Sequence, residues 1–535
     1  MRWTRESCSA ATTSNVCCRE RRFAHCHEIP RTTVSLTLER VSTGKRALSG
    51  IIAAGVVLGV GELIAVPIGP TSSPLTAVGS SAVDHSPAPV REWAIDTFGT
   101  SDKLALFVGM ALVIAAVAAA AGIARKPIGA AVFAALGVLG VLAAVTRPDA
   151  TVVYAVPTIG GVIVGIVVLH SLIGAAAPAT EGMNRRSFLT LAAGAAALGV
   201  VAGTAGRMLT SARAVTADRL GFMLPTPTPQ PPIPDGADLK IDGLASYITP
   251  NEDFYRIDTA LVVPRVASDT WSLRIHGMVD REIVLTFADL AQRQAVEKTI
   301  TLTCVSNIVG GDLVGNATWI GYPLKDILEE AGISPDADMA LSSSSDAFTA
   351  GTPIEVLLDG RDALLAVGMN GAPLPVEHGY PARLVVPGLY GYVSATKWVT
   401  DIEITRFDRV TAYWTDRGWG ARGPIKTASR IDTPRSGSSV PAGKTVVAGV
   451  AWDQHTGIDG VEVQVDEGNW VPATLSQEYS KDTWRQWVVE LDLPAGQHSI
   501  RARATNSAGE LQTNQTADTV PDGATGYPRI SLTAT

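Results

Sequence analysis

Cysteine is almost missing from this chain. Of five cysteines in 535 residues, Cys8, Cys17, Cys18 and Cys26 crowd the N-terminus and Cys304 stands alone. No two are separated by two residues, which excludes the paired spacing of zinc ribbons and dithiol redox sites, and no CxxCH haem attachment occurs. Cys17, Cys18 and Cys26 with His25 and His27 could gather a zinc ion, but an unstructured tail on the reducing side is the simpler expectation. Phosphate-cradling loops are missing too: there is neither a GxGxxG nor a Walker pattern, so nucleotide binding has no support. Basic residues are in deficit, 43 Lys and Arg against 51 Asp and Glu for a net charge of −8, which leaves no footprint for nucleic acid. Charge is scarce overall at 18%, while 46% of residues are hydrophobic and the mean hydropathy is +0.21. That balance exceeds what a soluble enzyme needs and points to membrane segments, and the length points to several domains.

What the chain does have is five apolar runs: Leu48–Ile68, Leu104–Ile123, Ile128–Val145, Val152–Ile173 and Phe188–Ala205. Crossing the hydrocarbon takes about 20 residues, which three runs meet comfortably and the third and fifth barely. They are apolar all round, unlike amphipathic helices of a soluble core. Glu62 is the exception, a carboxylate that hints at function unless it reaches an interface near the end of its run. Lys45 and Arg46, Arg125 and Lys126, and Arg185 and Arg186 mark alternate ends, whereas the other loops carry Asp84, Glu92, Asp96 and Asp149. By the positive-inside rule, residues 1–47 are a cytoplasmic, unstructured tail and residues 48–206 an α-helical transmembrane bundle; all that follows lies outside the cell membrane. Met1 to about Arg40 is Arg-rich and irregular, and translation is expected to begin near Val41.

Asn184-Arg185-Arg186-Ser187-Phe188-Leu189 resembles a twin-arginine export signal, which carries proteins already folded around a cofactor. Ordinary positive-inside arginines would account for the pair, but not for Phe188 and Leu189. No clear A-x-A cleavage site follows Gly206, so the segment is expected to stay as an anchor. His170 is the only histidine in the runs, so a bis-histidine haem in the bundle lacks its second ligand.

Residues 207–235 form a linker whose stretch Leu224–Pro234, LPTPTPQPPIP, is expected to be an extended polyproline spacer lifting the next domain off the membrane. Residues 236–424 mix strands (Trp271–Val279, Glu282–Leu285, Arg383–Pro387, Lys397–Thr405) with short helices (Phe287–Arg293, Leu324–Ala331), an α+β pattern. In residues 425–535, Val446–Val450, Gly460–Val465, Trp484–Leu491 and His498–Ala504 alternate. Ile500, Ala502 and Ala504 share one face there, and Arg501 and Arg503 the other. Turn signals at Asp466-Glu467-Gly468 and Asn506–Gly509 complete the pattern of an immunoglobulin-like β-sandwich.

Cys304 lies in Thr299–Pro323, where Ile300, Leu302 and Cys304 alternate as in a half-buried strand and Gly310, Gly311 and Gly315 follow. Alone, it reads as a small buried hydrophobe. Two other stretches change that reading: Asn251-Glu252-Asp253-Phe254-Tyr255-Arg256, and Glu377-His378-Gly379-Tyr380-Pro381-Ala382-Arg383-Leu384-Val385-Val386-Pro387 continuing through Gly391 and Ser394 to Lys397-Trp398. With them the chain, over roughly Ser246 to Tyr527, resembles the sulfite oxidase family of molybdenum enzymes. The motifs are specific for the cofactor and much less so for the substrate.

The resemblance implies one molybdenum-molybdopterin per chain, two-electron oxygen-atom transfer, and Cys304 as the one protein ligand to the metal. A soft thiolate suits such a metal. Arg383 and Lys397 match positions that hold the cofactor's phosphate, and His378, Ser394 and Thr396 match positions around the pterin. Asn251, Tyr255 and Arg256 match a second pterin-contacting stretch; alternatively Arg256 is catalytic and faces the substrate, where a planar guanidinium suits an oxyanion. Without the resemblance, Arg383 could pair with a buried carboxylate, His378 cap a loop, Lys397 be a solvated strand end and Tyr255 plain core. Trp414 and Trp419 read as aromatic core or as a cover over the site, and Arg417 and Arg422 as anion attractors. No HPGG haem-domain motif occurs, so electrons are expected to pass to an external carrier, a cytochrome or a quinol system. The exported methionine-sulfoxide reductase branch has asparagine where this chain has His378 and usually lacks the sandwich, which in the family serves dimerisation. The expected activity is oxidation of sulfite or a small sulfur compound. The alternatives are reduction of a sulfoxide or N-oxide on the same cofactor, and a non-catalytic stalked binding protein.

Overall fold

The computed structural model describes residues 31–87, 90, 93–94, 97–98, 102–147, 150–175, 185–212 and 215–535. The four N-terminal cysteines, His25 and His27, Asn184, and the side chains of Arg185, Arg186 and Ser187 lie outside the described residues, and with them the zinc and twin-arginine readings. Among the described residues the N-terminal part holds the helices α1 (Arg31–Ala65), α2 (Pro74–Asp84), α3 (Asp102–Ile123), α4 (Lys126–Val145), α5 (Ala155–Ala175) and α6 (Arg185–Ala212). Helix α1 begins well before the apolar run does, so residues 31–47 are helical rather than an unstructured tail.

Five spans are long and apolar enough to cross a membrane: Thr43–Ala65, Lys103–Ile123, Lys126–Val145, Val152–Ala175 and Phe188–Gly206. Helix is what such sequences form in hydrocarbon, because only it satisfies every backbone group within the segment. Helix α1 lies against α3, α5 and α6, and the approaches are made at small residues. A methyl group added at Gly50 or Gly122 would overlap main-chain oxygen of the facing helix, and Gly59 of α1 meets Gly199 of α6 in the same way. Arg46 donates to Ala124 O at one end of the bundle, and Arg147 pairs with Asp84 at the other. The Glu62 carboxylate is answered inside the protein, accepting from Ser73 Oγ at 2.8 Å.

The polyproline stretch is not a free spacer. Helix α7 (Val215–Gly221) docks on the following domain, where Asp218 accepts from Ser268 and Tyr380 and Arg219 donates to Pro373 O and Leu374 O. The extended segment then lies along the domain: Thr228 N donates to Ala295 O at 2.8 Å, and Gln230 Nε2 to Thr299 Oγ1 at 3.0 Å. Polyproline conformation leaves backbone groups unused internally, and here a sheet edge takes them up. The domain therefore rests directly on the bundle instead of standing off it.

That domain contains β1 (Ser272–Gly277), β2 (Ile283–Thr286), β3 (Val296–Thr303), β4 (Val314–Pro323), β5 (Met339–Ser344), β6 (Thr349–Pro353), β7 (Leu364–Met369), β8 (Ala372–Pro373), β9 (Arg383–Val385) and β10 (Val399–Thr405). One sheet runs β2-β1-β10-β5-β6, with only the β1/β10 pair parallel; the other runs β3-β4-β7-β8, with β9 also on β7. Four short helices, α8 (Phe287–Leu290), α9 (Leu324–Ala331), α10 (Ile354–Leu358) and α11 (Gly391–Ser394), complete the α+β unit.

Nine strands follow: β11 (Ala428–Thr433), β12 (Ser439–Val440), β13 (Gly443–Trp452), β14 (Ile458–Val465), β15 (Trp470–Pro472), β16 (Thr474–Leu475), β17 (Arg485–Leu493), β18 (Gly496–Asn506) and β19 (Arg529–Ala534). They form two sheets, β11-β13-β17-β16 and β12-β19-β18-β14-β15, which share one apolar core including Val447, Trp487, Val463, Ile500 and Leu532. Arg501 and Arg503 face out, onto Gln464 and Glu462. This β-rich unit changes the reading of β3. Both faces of its second half are buried, because Trp484 N donates to Thr301 Oγ1 and Gln454 Nε2 to Thr303 Oγ1 (2.8 and 2.9 Å). The period-two pattern correctly indicated a strand, but its threonine face is covered by the C-terminal unit rather than by water.

The small-residue contacts of α3 can be tested within that one helix. Gly122→Leu should lower the thermal midpoint of the full chain in detergent, since overpacking costs about 1–3 kcal/mol. Gly109→Leu, at a position with no atom within 4 Å of an added methyl group, should leave it unchanged. Equal effects would show that the α1/α3 approach does not hold the bundle.

Candidate active site

Strand β3 carries the chain to Cys304, the only cysteine among the described residues. Its N–H donates to Leu313 O at 2.9 Å, and its carbonyl accepts from Asn307 N, so the loop after it closes back on the strand end. Gly310 makes the reversal with φ of 76°, a conformation a side chain would disfavour. The thiol is buried, and burial pushes its pKa above the ordinary value; the Ser306 hydrogen bonds and the Lys397 charge act the other way.

The second wall comes from the motif at 377–398. Strand β9 pairs with the segment just before β10: Leu384 N donates to Thr396 O at 2.9 Å and Arg383 lies opposite Lys397. Two cationic side chains are thereby set next to each other. Trp398, with φ of 51°, reverses the backbone immediately afterwards and is held by its Nε1–H to Val376 O at 2.9 Å. Such a conformation is uncommon for a bulky residue and persists only where the surroundings enforce it. Gly379 faces the same pair; a Cβ there would come 3.0 Å from Arg383 Cβ and 3.2 Å from Lys397 Cβ.

Arg383 is buried, and its guanidinium donates to the carbonyls of Leu384, His378 and Ala395 at 3.2–3.3 Å while lying over the Trp319 ring. No carboxylate pairs with it among the described residues, which removes the structural ion pair as the explanation for its burial. Burial pushes its pKa down to about 10. Lys397 donates to Asp258 Oδ2 at 2.9 Å and to Glu377 O at 3.1 Å, and burial pushes it down to about 8 against the pull of Asp258. Burial works against ionisation of Asp258, yet Lys397 and Lys103 hold its carboxyl well below the usual range. His378 Nε2 donates to Asn251 O at 3.2 Å. Burial, reinforced by Arg383 and Lys397, pushes its pKa down to about 4, so the ring is neutral with Nδ1 free to accept. Tyr255 stacks on Phe254, and burial holds its phenol far above the ordinary value, as a hydroxyl at any working pH.

Tyr255, Cys304, His378, Arg383 and Lys397 thus line one cavity, together with Asp258. The other expected site residues are placed differently. Arg256 is off the cavity wall, 43% exposed in its side chain and held by Asp258 at 2.9 Å. Asn251 supports the site from behind, through His378 and Asn370. Ser394 and Thr396 turn into the fold, onto Tyr390 O and Ser342 Oγ, while Ala395 between them lines the cavity. Trp414, Trp419 and Phe348 wall the cavity with aromatic surface, so the two tryptophans are cover rather than remote core. Arg417 stacks on Tyr413 and Arg422 pairs with Glu355. Sequence reasoning missed Asp258. The signal was available, because a buried lysine beside an apolar strand requires an acid, and Asp258 follows the Tyr255-Arg256 stretch directly.

Among the described residues no group of three His, Cys, Asp or Glu side chains could hold a metal ion. A metal at Cys304 would therefore draw its remaining ligands from a bound cofactor. A guanidinium and an ammonium buried beside the thiol, one of them without a carboxylate, fit an anionic cofactor of that kind.

The family model for the oxidoreductase molybdopterin binding domain matches residues 260–414. An uncharacterized oxidoreductase, YuiH, of Bacillus subtilis is 33% identical over 153 residues, 29% of this chain and 74% of that protein. The chain belongs to the sulfite oxidase family of molybdopterin-binding oxidoreductases. Mitochondrial sulfite oxidase of Homo sapiens is 28% identical over 302 residues, 48% of this chain and 55% of that one, so the chain spans about half the length of that relative. Sulfite oxidase of Arabidopsis thaliana is 25% identical over 327 residues, 50% of this chain and 83% of its own. The sulfane dehydrogenase SoxCD of Paracoccus pantotrophus, a solved structure, is 25% identical with a TM-score of 0.44 over 50% of this chain and 75% of that one. The matched family segment contains Cys304, His378, Arg383 and Lys397; Asn251, Tyr255, Arg256 and Asp258 precede it.

The neutral state of His378 has a measurable consequence. Its pKa of about 4 lies below the ordinary 6.5. Between those values the unfolded chain binds more protons than the folded one, so the contribution to stability is full above about pH 6.5 and falls with pH. Cofactor-free protein should lose about 2 kcal/mol of stability from this group between pH 7 and pH 5. His378→Asn should shrink the acid-induced drop in melting temperature; an unchanged drop would assign it to other groups.

Proposed function

We propose that the chain is a membrane-anchored molybdenum-cofactor oxidoreductase that oxidises sulfite or a related small sulfur compound by two-electron oxygen-atom transfer. The observation that carries this reading is the meeting of a lone buried thiol with a carboxylate-free guanidinium in one cavity. When bound, the cofactor supplies the metal and the dithiolene sulfurs at which the oxygen atom and the electron pair are exchanged. Cys304 gives up its proton to become a thiolate ligand, a change that burial resists and that Ser306 and Lys397 favour. Arg383 and Lys397 would hold the cofactor's phosphate, and His378, neutral and with Nδ1 able to accept, would lie beside the pterin. Tyr255 donates through a hydroxyl that stays protonated, and Phe348, Trp414 and Trp419 exclude water.

The five apolar spans are the anchor, with the family domain on the extracytoplasmic side. On that orientation the Arg46–Ala124 contact lies at the cytoplasmic end of the bundle and the Asp84–Arg147 pair at the outer end. Arg185 and Arg186 act as a twin-arginine signal for a domain exported after folding. Electrons leave to an external cytochrome or quinol system, and the C-terminal unit is an immunoglobulin-like sandwich serving a homodimer. One observation favours a second reading, reduction of a sulfoxide or N-oxide. Arg256 is turned onto Asp258 and the cavity wall is aromatic, which suits a neutral, partly apolar substrate better than a small oxyanion.

Protein from a cofactor-producing host should contain about one molybdenum per chain by elemental analysis, since the fold offers one thiol ligand. Dye-linked assays of sulfite oxidation against sulfoxide and N-oxide reduction decide the substrate, and Cys304→Ser should abolish whichever activity is found. Metal-free protein from such a host would refute the reading. Arg185→Lys with Arg186→Lys should leave the domain inaccessible to external protease; export that persists in a twin-arginine-deficient host would refute the signal.

A further inference from the structure

Loop 257–261 has two sides. Ile257, Asp258 and Thr259 line the cavity that contains Cys304 and Lys397. Leu261, on the other side, would touch a methyl group added at Gly79 of α2, where Met110 of α3 also lies close. At the start of α3, Lys103 reaches into this loop and donates to it at three points: Asp258 Oδ1 at 2.8 Å, Asp258 O at 3.1 Å and Ala260 O at 2.7 Å. The second carboxylate oxygen of Asp258 accepts from Lys397 Nζ and from Arg256 Nε, both at 2.9 Å. The Asp258 side chain is only 3% exposed.

We propose that the membrane half completes the active site: Lys103 is a positioning residue that fixes the Asp258 carboxylate and, through it, the ammonium of Lys397 in the cofactor cavity. This rests on the reading of that cavity as a molybdopterin site. The physical case is one of orientation. A carboxylate bound on one oxygen alone can rotate and carry its partner with it, whereas Lys103 holds the opposite oxygen and the backbone of the same residue. The same carboxylate accepts from Lys103, Arg256 and Lys397, so it is shared among three cations and Lys397 is steered by it rather than paired with it exclusively. Charge-assisted bonds to a carboxylate buried as deeply as that of Asp258 are stronger than neutral ones. The bundle is then part of the cofactor site as well as its anchor.

The test uses full-length protein in nanodiscs, loaded in a cofactor-producing host. It reads molybdenum per chain and the rate of cofactor release on dilution, followed by the fluorescence of the oxidised pterin. Lys103→Met should release cofactor at least about fivefold faster than wild type, and Lys103→Arg should restore slow release, as loss and return of a charge-assisted bond require. Lys103→Gln keeps two donors and serves if the methionine variant does not fold. The deciding comparison is with Lys397→Met. If Lys103 acts through Lys397, adding a Lys103 substitution to Lys397→Met changes release no further; additive effects would overturn the proposal. Loaded wild type with equally slow release from Lys103→Met would overturn it alone, whereas wild type without molybdenum would overturn the cofactor reading and this inference with it.

Discussion

Three cations converge on the buried carboxylate of Asp258, while Arg383, buried in the same cavity wall, has no carboxylate partner among the described residues. A protein interior tolerates such an excess only when carbonyl oxygens, aromatic faces or a bound anion answer it. Here the carbonyls of His378, Leu384 and Ala395 and the Trp319 ring do part of this work for Arg383. The pairing of β9 with residues 396–397, the reversal at Trp398 and the side-chain-free position at Gly379 all serve to hold Arg383 and Lys397 together despite their repulsion. The two cationic side chains and the thiol of Cys304 thus share one cavity wall.

Every other layer of the molecule seals or supports that arrangement. Strand β3 has a free outer edge by topology, and it is covered twice: by the polyproline segment at Thr228 and by Asp482 of the C-terminal unit, whose carbonyl accepts from Thr301 N at 3.0 Å. An uncovered edge would let the strand that positions Cys304 fray. On the opposite side the apolar helices α2 and α3 meet loop 257–261 directly. The segment between bundle and domain is docked along its length through Asp218, Arg219 and Thr228, so the family domain is gripped by the bundle rather than tethered to it.

Several readings from composition and pattern carried over because local rules govern them. Runs apolar on all sides became helices, and the alternation of Ile500, Ala502 and Ala504 against Arg501 and Arg503 became a strand with one core face. Leu324–Ala331 ends at Gly332, whose φ of 71° closes the helix. The motif at 377–398 sets His378, Arg383 and Lys397 side by side because its β9 pairing is nearly local in sequence, while β3 brings Cys304 to the same cavity. Other readings failed for a common reason, that they needed a distant partner. LPTPTPQPPIP reads as a spacer until a sheet edge is available to bind it, and β3 reads as half-buried until the C-terminal unit covers its threonines. Arg256 reads as a cavity residue until Asp258 draws it aside.

By itself the sequence determined which segments are long and apolar enough to form membrane-type helices, and that an α+β unit is followed by a β-rich one. These follow from hydropathy, period and residue type, properties each segment carries alone. Only the tertiary structure decided that Arg383 pairs with no carboxylate among the described residues, that Asp258 has three cations, and that one of these, Lys103, comes from a helix of the bundle 155 positions earlier in the chain. Burial and pairing of charge depend on what surrounds a group after folding, and no spacing in the chain records it.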